Sequence, residues 1–188
     1  MSSILKVDQL QDSGGNAIIT SNGSGTFTSS LPNTGITEID AWYLTTSYTA
    51  SGIDDITTNL ARVNYGGFNK LGTGMTESSG IFTFPSTGIW KIEFIAQYQD
   101  NNTDSRSIWN YINTTTDNSS YYVASGHGTF LHRFNSSTHY INSTSIFIFD
   151  VTDTSTHKVK FSAGASGIGV RGDTNSATQM QFIRLGDT

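Results

Sequence analysis

A chain of 188 residues has room for one domain of about 150 residues and a short appendage. Its make-up, 12% aromatic, 13% charged and free of cysteine, excludes disulfide and thiolate chemistry and argues against a disordered chain. The formal charge of −5 comes with no basic run, so nucleic-acid binding through phosphate contacts has nothing to rest on. The longest apolar run, Ile146-Phe147-Ile148-Phe149, is far too short to span a bilayer, and no membrane insertion is expected.

In chain order, residues 1–35 read as an extended arm ending in a hinge, Leu31-Pro32-Asn33-Thr34-Gly35. Ile4, Leu5, Val7 and Leu10, and then Ala17, Ile18 and Ile19, are apolar clusters only a few residues long. Gly14-Gly15 and Asn22-Gly23-Ser24-Gly25 interrupt any regular element between and after them. Clusters this small do not offset their own ordering entropy unless they pack on a symmetry mate or a foreign surface. Ile4, Leu5, Val7 and Leu10 are therefore the candidate anchoring residues.

Residues 36–188 carry strand signals at short intervals, separated by turn residues. They fall at 39–49, 60–68, 81–84, 89–98, 107–113, 121–124, 129–134, 146–151, 157–163 and 178–185. Within 89–98, Trp90, Ile92, Phe94, Ala96 and Tyr98 share one face and Lys91, Glu93 and Gln97 the other, as in a half-buried antiparallel strand. Residues 146–151 are apolar on both faces, as a central or interface strand would be. Ile53, Ile56, Leu60 and Val63 fit a short helix, a strand or a loop. Eight to ten short strands predict an all-β, antiparallel sandwich or jelly roll.

The hairpin Phe82-Thr83-Phe84-Pro85-Ser86-Thr87-Gly88-Ile89-Trp90-Lys91-Ile92-Glu93-Phe94 resembles the C1q/tumour-necrosis-factor-like jelly roll. That family's pattern of Phe, five residues, Gly and then alternating aromatic and apolar positions is met by Phe82, Gly88 and Phe94. Trp90 and Ile92 stand for the usual Tyr and Phe, and the family's positions before Phe82 have no counterparts. Residues 180–186, Met-Gln-Phe-Ile-Arg-Leu-Gly, resemble the last strand of such heads. The opening Ser2-Ser3-Ile4-Leu5-Lys6-Val7-Asp8-Gln9-Leu10-Gln11-Asp12-Ser13-Gly14-Gly15-Asn16 resembles that of fibre-type structural proteins of tailed phages. Together these resemblances imply a homotrimeric virion protein whose arm docks on other virion structural proteins. It would be a short fibre or attachment protein or, in the alternative, a capsid decoration or head-fibre protein. The N-terminus lacks a basic region followed by an apolar core, so synthesis in a host cytoplasm and release within the virion are expected.

No catalytic residue, cofactor or metal is assigned. His127, His132 and His139 match no zinc spacing. Asp100-Asn101-Asn102-Thr103-Asp104-Ser105 imitates an EF-hand opening, but Ser105 and Tyr111 occupy its Gly and Glu positions, so it reads as a polar hairpin turn. Arg171-Gly172-Asp173 reads as an ordinary turn, and the six Asn-x-Ser/Thr matches (Asn22, Asn101, Asn113, Asn118, Asn135, Asn142) as products of a Ser- and Thr-rich composition. Asp54-Asp55 and Asp150/Asp153 read as turn caps. A surface-polysaccharide depolymerase, which needs two carboxylates facing across a cleft, is the third and least favoured reading. Trp109 and Tyr111, with Tyr121 and Tyr122, supply more aromatic surface than alternating strands can bury. They are candidates for a trimer interface or for stacking on a host surface glycan.

Overall fold

A computed structural model describes residues 7–29 and 35–188. The chain divides into two compact units, Met1–Gly35 and Ile36–Thr188. Of the anchoring candidates, Ile4 and Leu5 lie outside the described residues.

In the first unit, β1 (Gln9–Gln11), β2 (Ala17–Ser21) and β3 (Phe27–Ser29) form an antiparallel three-stranded sheet in that order. The Gly-rich stretches that read as interruptions are its turns, and both are built on one plan. Asp12 Oδ1 accepts from the backbone N–H of Gly14 and Asn16 at 2.8 and 2.9 Å. Asn22 Oδ1 does the same for Ser24 and Thr26 at 2.9 and 3.2 Å. A short side-chain oxygen thus replaces a backbone acceptor, while Gly15, Gly23 and Gly25 take the positive φ angles. The expected extended arm is instead a meander shaped by turn chemistry. Among the described residues it is a single layer, and Val7 and Leu10 are 58% and 52% exposed.

The second unit is an antiparallel sandwich, and among the described residues there is no helix. One sheet contains β4 (Ile39–Leu44), β5 (Tyr48–Thr49), β7 (Leu60–Arg62), β10 (Gly88–Gln99), β13 (Tyr140–Val151), β15 (Gly169–Val170) and β16 (Gln179–Gly186). Its order is β13-β10-β16-β4-β7, with β15 and β5 continuing beside the C-terminal end of β10. The other contains β6 (Asp54–Asp55), β8 (Thr76–Ser78), β9 (Ile81–Thr83), β11 (Ser105–Thr115), β12 (Tyr122–Leu131) and β14 (Lys158–Gly164). Here the order is β12-β11-β14-β9-β8, with β6 also on β14. The chain crosses between sheets after β5, β6, β7, β9, β10, β12, β13 and β14, which is jelly-roll winding.

Strict alternation along β10 puts Trp90, Ile92, Phe94, Ala96 and Tyr98 inside, each at most 1% exposed. They meet a cluster of rings from both sheets: Phe94–Phe161 at 5.0 Å, Phe82–Phe182 at 5.2 Å, Phe82–Phe161 at 5.5 Å. Each fully buried Phe contributes roughly 1.5–3 kcal/mol. Side chains also stitch the sheets together: Tyr98 Oη donates to Trp109 O at 3.0 Å, and Ser145 Oγ to Asn110 O at 3.1 Å. Gly88 turns the chain into β10 at φ +139°, where an added Cβ would sit 2.5 Å from the carbonyl oxygen of Gly186.

Three local expectations are corrected. Residues 121–134 hold one strand, β12, because Gly126 and Gly128 are strand-interior positions and not a turn. Residues 39–49 break into β4 and β5, and 53–63 make two short strands with no helix. Finally, β13 is an edge strand that pairs with β10 alone among the described residues, so its two-faced apolarity is not that of a central strand.

Candidate functional site

The outward face of the β13-β10-β16-β4 sheet carries Ile148, Lys91, Ile183 and Ile39 as one cross-strand row. Ile146 stands opposite Glu93 on the next outward row, and Ile89 and Ile95 flank the middle of β10. Six isoleucines on one outward sheet face are exceptional, since single-layer exposure gives branched side chains nothing to pack on. Ile146 and Ile148 are 47% and 51% exposed. Lys91 and Glu93 in the middle of this patch neutralise each other at 2.8 Å, and Asp150, opposite Ile89, stands at its margin. Such a face can bury itself against a second surface at little desolvation cost.

The loop end of the head, opposite the end where Ile36 enters and Thr188 leaves, is organised by Asp100. This buried carboxylate accepts from His139 Nδ1 at 2.9 Å, His139 N at 3.2 Å and Asn102 N at 3.3 Å. Arg133 Nε lies 3.0 Å away, as a charge neighbour whose N–H is not aimed for a hydrogen bond. Burial alone would push the Asp100 carboxyl up, but the His139 and backbone donors, aided by Arg133, hold it below the ordinary carboxylate value. Asp100 therefore pins the 132–139 loop, and Asn101 and Asn102 make a left-handed turn after it, as a polar hairpin requires. Phe130, Phe134 and Tyr140 surround an open hollow of about 610 Å³ beside that loop.

The other sequence candidates resolve individually. Trp109 and Tyr111 project outward from β11, with ring centroids 5.9 Å apart. Each lies across a cross-strand glycine of β12, Trp109 on Gly128 and Tyr111 on Gly126. Tyr121 is half-buried beneath Lys160, whose Nζ lies 4.8 Å from its ring centre, whereas Tyr122 is 72% exposed. The four are thus not one cluster. His127 binds the carbonyl of Thr144, His132 pairs with Asp104 and His139 with Asp100, so the three histidines have separate partners. No metal-competent cluster of His, Asp and Glu occurs among the described residues.

Arg171 and Asp173 pair with each other at 3.0 Å, and Arg171 also donates to Gln97 and covers Tyr140. The tripeptide is folded onto the head. Asp54 caps Ser51, Asp153 caps Ser155, and Asp55 is held by Lys160 and Ser162. Asn113, one of the sequon asparagines, is buried with its amide donating to Ser162. Sequence reading missed Asp40, which accepts from Arg62, Trp42 Nε1 and Met75 N at 2.9, 2.9 and 2.7 Å. It also missed the isoleucine face, whose members come from four strands far apart in the chain.

No protein-family model matches the chain, and no curated protein sequence does. Among solved structures, Eiger TNF from S. frugiperda is similar over 82% of this chain and 96% of its own, at 9% identity and a TM-score of 0.58. Murine APRIL is similar over 79% of this chain and 98% of its own, at 11% identity and a TM-score of 0.52. PRD1 vertex protein P5 aligns over 81% of this chain and 99% of its own, at 16% identity and a TM-score of 0.46. The first two likenesses define the class: the head is a TNF-like antiparallel jelly roll, the fold to which the hairpin around Gly88 points.

Proposed function

We propose that the protein is a homotrimeric structural protein of a bacteriophage virion, anchored by its N-terminal unit and binding through its jelly-roll head. The observation that carries this reading is the outward isoleucine face of the β13-β10-β16-β4 sheet. A monomer has no use for such a face. A second copy packed heterologously covers it, and three copies then close the ring of contacts that such a pair leaves open. The resemblance of residues 2–16 to phage fibre openings supports the virion setting, with Val7 and Leu10 exposed as anchoring contacts require. The head works by binding, with no bond made or broken.

The first version is a short attachment protein whose loop end meets the host. The second, a capsid decoration or head-fibre protein, is favoured by one observation: the first unit folds back on itself in three short strands and provides no long shaft. Light scattering of the purified chain is expected to give the mass of a trimer, and a monomer at micromolar concentration would overturn the assembly. The paired substitution Ile146→Asp and Ile148→Asp should yield a folded monomer, because both side chains face outward. Gold labelling of intact particles separates the versions: signal on the capsid eliminates tail attachment, and signal on the tail eliminates decoration. Release of reducing sugar from host polysaccharide by the purified chain would promote the depolymerase reading over both.

A further inference from the structure

Among the described residues, Arg106 is the one arginine or lysine with no ion pair, hydrogen bond or ring contact. Arg62, Arg133, Arg171 and Arg184 are held by aspartates, Lys91 and Lys160 by carboxylates, and Lys70 and Lys158 by backbone carbonyls. In a chain with a net charge of −5, carboxylates are plentiful, so an unpaired guanidinium is the exception. Arg106 stands on the rim of an open hollow of about 330 Å³ with Trp109 and Phe130, and Ser107, Gly128 and Thr129 complete its lining.

Trp109 is a prepared platform there. One face of its indole lies on Gly128, where an added Cβ would come within 3.1–3.2 Å of three ring atoms. Its Nε1–H donates to Ser107 Oγ, which leaves the serine hydroxyl proton for another acceptor. Trp109 as a residue is 36% exposed, and Tyr111 on Gly126 extends the strip along β11.

We propose that this groove binds a carboxylate-bearing saccharide, with one uronic-acid ring stacked on Trp109 and its carboxylate in the fork of Arg106. A locked indole face suits the C–H face of a pyranose and loses little rotamer freedom on binding. A guanidinium engages a carboxylate through two parallel N–H···O bonds. The Ser107 hydroxyl, beside the indole edge of Trp109, can donate to a ring oxygen of the sugar. An anionic bilayer or a nucleic acid is a poor occupant, since each needs several cations and this surface offers one. The proposal deepens the host-binding part of the function above and rests on it only for where the sugar comes from.

The test is calorimetric titration of the full-length chain with tetragalacturonate, with maltotetraose as the neutral control. Tetragalacturonate is expected to bind, maltotetraose at least tenfold more weakly. Arg106→Gln, at an exposed side chain, should weaken tetragalacturonate at least tenfold, and Trp109→Ala should abolish its binding. Absence of tetragalacturonate binding, equal binding of maltotetraose, or an unchanged affinity in Arg106→Gln overturns the proposal. Light scattering on the same samples keeps the two ideas apart. A trimer blind to tetragalacturonate sinks the sugar site alone, and a monomer that binds it sinks the trimer alone. If Trp109→Ala dissociates the trimer, the platform is an interface between copies and the saccharide site is withdrawn.

Discussion

At Gly88 a backbone angle of +139° coincides with a carbonyl oxygen 2.5 Å from where a Cβ would stand. Two independent penalties fall on one atom, and the obstacle is backbone, which has no rotamer to move. Gly88→Ala is expected to cost about 3 kcal/mol of stability, read as a lowered urea midpoint. Gly80 is tighter, with the oxygen of Ile56 at 2.2 Å, so Gly80→Ala should be at least as damaging.

Asp100 gives the acid response its sign. Its carboxyl is held below the ordinary aspartate value of 3.8 in the folded chain, so folding favours the charged form. The stabilisation is complete above that value and is lost as the pH falls through it towards the folded pKa. The melting temperature should therefore hold from pH 7 to about 5 and drop below about 4. In Asp100→Asn the neutral-pH melting temperature should be lower and the gap to wild type should shrink in acid. A gap that stays constant down to pH 3 would contradict the assignment. Sequence reading saw Asp100 only as the start of a polar turn, because its partners Arg133 and His139 belong to a loop a whole hairpin away.

Strand by strand, what was legible is what alternation alone decides. β10 shows its two faces in the sequence because each inward residue is large and apolar and each outward one, Ile89 and Ile95 apart, is polar. β12 hid because Ser125-Gly126-His127-Gly128 has the composition of a turn, and only the neighbouring strand explains it: Tyr111 and Trp109 need flat ground. Gly126→Val should push Tyr111 off its seat and raise the exposure of β12 amides, measurable as faster hydrogen exchange at residues 124–128. β16 lies between β10 and β4 and sends Phe182 against Phe82 and Phe161 of the opposite sheet. Phe182→Ala should cost about 3–5 kcal/mol, seen in chemical denaturation. The isoleucine face was not legible, since Ile39, Ile89, Ile146 and Ile183 become neighbours only through a register that no local pattern encodes.

For the molecule as a whole, the two units carry different kinds of stability. The head has a two-sided aromatic core, while the first unit has one layer and side-chain-capped turns. Removing residues 2–29 should leave the melting temperature of the head within a few degrees of the full chain while abolishing incorporation into particles. A truncated chain that still incorporates would show that the head itself docks.

Ile36 and Thr188 lie at one end of the sandwich, next to the paired ends of β4 and β16, and this geometry has a mechanical meaning. Force applied between the two termini would peel those strands apart one hydrogen bond at a time. Force applied between Ile36 and the 132–139 loop runs along the strands and shears the bonds of β4, β16, β10 and β13 together. A head tethered at its entry and gripped at its loops is thus pulled in the direction in which its sheet yields last.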